Sequence, residues 1–293
     1  MNTVVPEEDL KTIKFVEEKI FSSIKFGSDW SELAILDDVN ASKRDIQQLG
    51  AKIALHNTEI AATILEIAHS IYFGYSHQGE VRDFFDAVLR MGGDRIKILI
   101  FSLALFSLGK SPAARQRAAK SAAICVLGRI IAEQMSLCDE EVRKIETGGL
   151  LSQLGRNIFM KARELGMDLS DEFIQKYEVN LATTVIERLE LDPFLKRAVD
   201  MSIMEFDEDS LSLVGTIKLA EALTEDSFKK YGKLVLRSPM PDQTNIVVKT
   251  PGDDIRKLFA ALGVEEYLEV RESPTQRQRE ALEKREKTTV AKR

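Results

Sequence analysis

Eleven consecutive residues, ILIFSLALFSL from Ile98 to Leu108, carry no charge, and this run limits the fold more than any other stretch. A helix that crosses a bilayer needs about 20 apolar residues, so the run is too short to span one. In water it must be covered on all sides, which predicts a buried central helix with Ile98, Phe101, Leu105 and Leu108 inward. A helix of that kind needs neighbours, and the rest of the chain supplies helices.

Apolar residues recur at three- and four-residue spacing between recognisable start and stop signals. Leu10, Ile13, Val16 and Ile20 fall on one face of a helix from Glu7 to Phe26 that ends near Gly27. Ser42 is placed to cap a second helix through Leu55, with Ile46, Leu49 and Ile53 inward, and Asn57 to cap a third that carries Ile60, Ala61, Ile64, Leu65 and Ala68 toward Gly74. DFFDAVLRMGG ends at its paired glycines, and Asp94 is placed to cap the uncharged run, which Gly109 closes. Ser111-Pro112, an N-cap residue followed by proline, starts a long helix to about Met135. Further starts stand at Asp139, Ser170 and Asp192-Pro193, with helix continuing to about Leu223.

Sixteen glycines and seven prolines in 293 residues are too few for a turn-dense β protein. The expected fold class is therefore all-α. Past Tyr231 the pattern changes: KLVLRS and NIVVKT read as short strands around a PMPDQ turn, followed by the helix DDIRKLFAALG. The expected division is a helical domain over 1–230, with lobes over about 1–110 and 111–230, a small α+β appendage over 231–272 packed on the body, and a polar tail over 273–293. From Arg271 onward there are eight basic and four acidic residues, a net of +4, so the preceding 270 residues carry −10 of the total −6. An acidic body gives no pull toward nucleic acid or anionic lipid, and a mixed-charge tail without aromatic residues reads as solvated. Cys125 and Cys138 fit neither a disulfide framework nor a zinc spacing, and no signal peptide follows Met1, so the cytoplasm is the expected compartment.

Three stretches together resemble the HDOD family, the HD-related output domains of bacterial signalling proteins. IAATILEIAHSIYFG is similar to that family's helix ending in Ala-Asn-Ser-x-aromatic-aromatic-Gly, here Ala68, His69, Ser70, Tyr72, Phe73 and Gly74, with His69 in place of Asn. FFDAVLRMGGDRIKILIFSLAL resembles its next two helices, and GGLLSQLGRNIF, Gly148 to Phe159, is the third. The resemblance spans about Leu33 to Thr224. It implies a two-lobed helical fold related to HD-type phosphohydrolases but generally without catalysis. Where the family often has Asp-Pro, this chain has His56-Asn57.

The resemblance also implies where a metal would sit in catalytic relatives: the first ligand histidine falls at Lys120, the His-Asp pair at Ser152-Gln153, and the final carboxylate at Glu221. An ammonium repels a cation, and hydroxyl and amide oxygens are weak ligands for transition metals. His56 and His69 stand 13 residues apart, about 220° around a helix, so they do not make a replacement set. No nucleophile elbow, Walker loop or dinucleotide-binding glycine pattern is present. EFDEDS, Glu205 to Ser210, reads as a solvated loop and helix start, and Cys125, among Ala122, Ile124 and Val126, as a buried small hydrophobe.

The reading is a metal-free, non-enzymatic signal-transduction module without a cofactor, in a two-component or second-messenger setting, whose partners are other signalling proteins. The alternatives are a repurposed HD-type metal-dependent phosphohydrolase, a sensor binding a small molecule between the lobes, and a nucleic-acid-binding regulator acting through the basic tail. Lys120 and Glu221 are expected either to pair, the ammonium replacing the metal's charge, or to diverge, with Lys120 in RQRAAK pointing to solvent. Ser152-Gln153 reads as part of a continuous helix whose inward face is Leu150, Leu151, Leu154 and Ile158.

Overall fold

The computed structural model describes residues 5–24, 30–38, 40–69, 81–107, 111–200, 208–237 and 252–271. Twelve α-helices are present among them, with one pair of short strands. The fold is all-α, as the spacing predicts. No helix among the described residues is long and apolar enough to cross a membrane.

The first half comprises α1 (Glu7–Ser23), a 3-10 turn at Trp30–Leu36, α2 (Lys43–His56), α3 (Thr58–His69), α4 (Phe84–Met91) and α5 (Gly93–Ser107). Local chemistry sets the starts. Ser42 caps α2 in a reciprocal box with Asp45, each backbone N–H donating to the other's side chain at 3.2 Å, and the Asn57 side chain accepts from the Ile60 N–H at 3.1 Å at the head of α3. Gly92 adopts φ 88, a left-handed conformation that ends α4 with little strain; α5 then starts at Gly93, so Asp94 lies in its first turn rather than capping it. Ile98, Phe101 and Leu105 of α5 are buried, as expected of the uncharged run. Leu108 lies outside the described residues.

The second half comprises α6 (Pro112–Gln134), α7 (Asp139–Leu151), α8 (Leu154–Glu164), α9 (Asp171–Arg188), α10 (Phe194–Val199) and α11 (Glu208–Tyr231). Ser111 caps α6 with proline at the first helical position, and Ser170 caps α9 by accepting from Phe173 N–H at 3.1 Å. Helix α6 packs along α7 and α11, and α8 along α9. Cys125 is fully buried in α6, and Cys138 is exposed at the head of α7.

Helix α1 lies against α8 and α9, and its Phe21 ring also meets Phe101 of α5 at 5.3 Å. Arg188 explains the attachment: its guanidinium donates to Glu17 at 2.9 Å and covers the Phe21 ring at 4.0 Å, while Tyr177 donates to Asp9. Ile13, Val16 and Ile20 are buried there, but Leu10, expected on the same face, is 42% exposed.

Beyond α11, β1 (Leu234–Arg237) pairs in parallel with β2 (Leu268–Arg271), with α12 (Gly252–Ala261) in the crossover. The sequence suggests strands on either side of PMPDQ; among the described residues β1 has its partner in LEVR, past α12. Parallel neighbours need such a crossover, and a helix supplies it. NIVVKT lies outside the described residues. Ile255, Leu258 and Phe259 are buried, and α12 sits on α3 and α6.

Candidate functional site

GGLLSQLGRNIF is not one helix. Helix α7 stops at Leu151 and α8 begins at Leu154, leaving Ser152 and Gln153 at the joint. Ser152 turns back to donate to the Gly149 carbonyl at 2.9 Å. Leu150, Leu151, Leu154 and Ile158 remain buried on either side of the break. The glycines explain why the segment runs so close to its neighbours: a Cβ on Gly149 would stand 2.9 Å from the Cys125 backbone of α6, and one on Gly155 would stand 1.7 Å from the Glu178 carbonyl of α9.

From the joint, Gln153 donates its amide to Glu221 of α11 at 2.8 Å. The other Glu221 oxygen accepts from Lys218 at 2.9 Å. Lys120 does not pair with Glu221: it reaches Glu225, one turn further along α11, with both carboxylate oxygens at 2.7 Å. Phe228 lies beside that turn, and the ammonium stands 5.7 Å from its ring centroid, so the aromatic face and the carboxylate draw Lys120 past Glu221. Sequence spacing could have flagged Glu225, four residues from Glu221 on the same helical face.

The four positions therefore do not make a metal donor set. One bears a cation already matched by a carboxylate, one a hydroxyl bonded to its own helix, and one an amide whose donor occupies the sole carboxylate of the group. Among the described residues, no three His, Cys, Asp or Glu side chains converge to hold a metal elsewhere. His56 and His69 each face a carbonyl of their own helix, Lys52 at 3.2 Å and Leu65 at 2.8 Å. Of the signature residues, Ala68 is buried and His69 exposed, while Ser70, Tyr72, Phe73 and Gly74 lie outside the described residues.

Glu178 of α9 borders the same region. Burial pushes its carboxyl above the ordinary value and Glu221 adds to the rise, against the pull of Arg156 and Lys218. One of its oxygens is buried without a hydrogen-bond partner.

A second charged group was not expected from the sequence. Glu146 of α7, 1% exposed, takes Arg95 of α5 on one oxygen and Arg129 of α6 on the other at 3.3 Å, and Arg129 donates to Glu133 at 2.8 Å. Burial raises the Glu146 carboxyl while the two guanidiniums hold it down. This network ties α5 to α6 and α7. Its trace in the sequence is a carboxylate inside an otherwise apolar stripe, Val142, Ile145 and Gly149.

A sequence model of the HDOD domain matches residues 32–192. No curated protein matches the chain. Among solved structures, an HDOD domain protein of unknown function from Geobacter sulfurreducens is 16% identical, with a TM-score of 0.44, over 86% of this chain and 90% of its own. A Shewanella amazonensis SB2B protein provisionally assigned as a metal-dependent phosphohydrolase is 15% identical, with a TM-score of 0.49, over 89% of this chain and 99% of its own. A second protein of that organism, provisionally assigned as a phosphohydrolase, is 13% identical with a TM-score of 0.48, over 88% and 89%.

Proposed function

The chain belongs to the HDOD family, and from that premise we propose that it is a non-catalytic regulatory module which passes on a change of state through contacts between its helix surfaces and other signalling proteins. The observation that carries this reading is the bonding at the vestigial site. Hydrolysis in HD-type enzymes depends on a metal that activates water and offsets charge on phosphoryl oxygens. Here the corresponding side chains bond to one another, Gln153 to Glu221 at 2.8 Å and Lys120 to Glu225 at 2.7 Å, which suits a packed joint between α6, α7, α8 and α11.

The reading is tested by two measurements on the purified full chain. With added manganese, turnover of a generic phosphodiester should not exceed that of a Glu221→Gln variant; metal-dependent turnover that this substitution abolishes would overturn the proposal. In cells, cross-linking should recover a signalling protein whose cross-links map to one face of the helical body. Recovery of the chain with no protein cross-linked above background would count against it.

A further inference from the structure

A cavity of about 580 Å³ opens between α3, α6 and the turn after α12, over an apolar floor that includes Ile60, Leu103, Ala118 and Leu262. That volume lies within the range of small-molecule sites, roughly 300–1,000 Å³. Residues 260–264 of its wall fall outside the family match at 32–192. The cavity is therefore built jointly by family helices and the appendage of this chain.

Its polar groups are ordered. Glu59, Thr63 and Glu66 of α3 all line it, and at that spacing the three positions span about 60° of the helix surface. The three form a row whose ends are roughly 10 Å apart along the axis. Among the described residues neither carboxylate meets a cation, and the Thr63 hydroxyl, on a side chain only 9% exposed, has no hydrogen-bond partner. The lining's cation, Arg115, is already matched: it pairs with Glu266 at 2.6 Å and donates to the Gly263 carbonyl at 3.1 Å, which fixes the appendage wall to α6.

We infer that this cavity binds a linear polyamine. Terminal ammonium groups would sit on Glu59 and Glu66, an inner ammonium would donate to the Thr63 hydroxyl, and the methylene chain would cover Ile60 and the apolar floor. An anion would meet two carboxylates, and a neutral apolar guest would leave both carboxylates and the hydroxyl unmatched. Because residues 260–264 of the appendage form one side of the wall, a bound polyamine would also hold α12 onto α3. This inference does not rest on the absence of catalysis.

Titration calorimetry of the full chain with spermidine is the test. Saturable one-to-one binding is expected, weakening as salt is added. Glu59→Gln/Glu66→Gln should weaken it at least tenfold and Thr63→Val several-fold, and butylamine, with a single ammonium, should bind at least tenfold more weakly than spermidine. Glu59 and Glu66 are exposed, so the double variant should melt like the parent. Undiminished binding by that variant would mean general attraction to a chain of net charge −6 and overturn the site. So would the absence of saturable binding, or tighter binding of an arginine-rich peptide that the same variant loses. None of these results would affect the reading of the vestigial site.

Discussion

A methyl group on Gly155 would have nowhere to go, since its carbon would fall 1.7 Å from the Glu178 carbonyl. The backbone of α9 cannot yield without moving the whole helix, so Gly155→Ala should destabilise the protein by about 2–3 kcal/mol or more, read as a lower denaturation midpoint with an unchanged slope. The sequence displayed this glycine within a motif but not its reason, because the close approach depends on a backbone that the motif does not contain. The same holds for Glu178 itself. Its folded pKa is raised by burial, so the folded state favours the protonated form. The associated stability is full below the ordinary carboxylate pKa and is lost as pH rises through the raised value. Glu178→Gln should therefore stabilise the protein at pH 7, by less than about 1 kcal/mol for a partly solvated group, read as a higher melting temperature, with the gain vanishing below about pH 4. A gain that persists unchanged at acid pH would show that packing, not charge, is responsible.

Helix beginnings were legible because capping is local: Ser42, Asn57, Ser111 and Ser170 each accept from a backbone N–H close after them. The break between α7 and α8 was not, because no proline or left-handed glycine marks Ser152 and Gln153; neighbouring helices decide where the chain turns. Side-chain pairing across helices was equally hidden, since a one-turn difference in register separates Glu221 from Glu225. At this scale the Arg95, Arg129 and Glu146 network is the sharpest test. Arg95→Met would leave Glu146 with one guanidinium fewer in a dry site, at a cost of about 3–5 kcal/mol. Arg95→Met combined with Glu146→Met should recover part of that loss, because the second change removes the uncompensated charge. Additive losses in thermal denaturation would mean that the network contributes through shape alone. In α5, Leu105→Asp would bury an unpaired carboxylate at a position 3% exposed and should cost several kcal/mol, on the order of 2–7; a variant as stable as the parent would contradict the central placement of that helix.

Among the described residues the buried apolar side chains form one cluster, and Leu234, Ile255, Leu258, Phe259 and Val264 of the appendage belong to it. Composition alone indicated a segment too small to fold by itself; where it attaches was not legible, because α12 offers only Ile255, Leu258 and Phe259 and many helix faces could have received them. The structure seats them on α3 and α6, with Val264 also buried. Truncation after Tyr231 would expose these contacts, each buried side chain being worth about 1.5–3 kcal/mol of transfer free energy before compensation. The expected result is a fall in melting temperature on the order of 5 °C or more and exposed apolar surface on α3. Truncation after Arg271 removes eleven charged residues and keeps β2, its pairing with β1 and the ion pairs of Glu269 with Lys233 and Arg271. That shorter protein should melt within about 1–2 °C of the full chain, since the removed segment, with its run QRQREALEKREK, has few apolar side chains to bury. Equal losses from the two truncations would place the stabilising contacts beyond Arg271 instead of in α12.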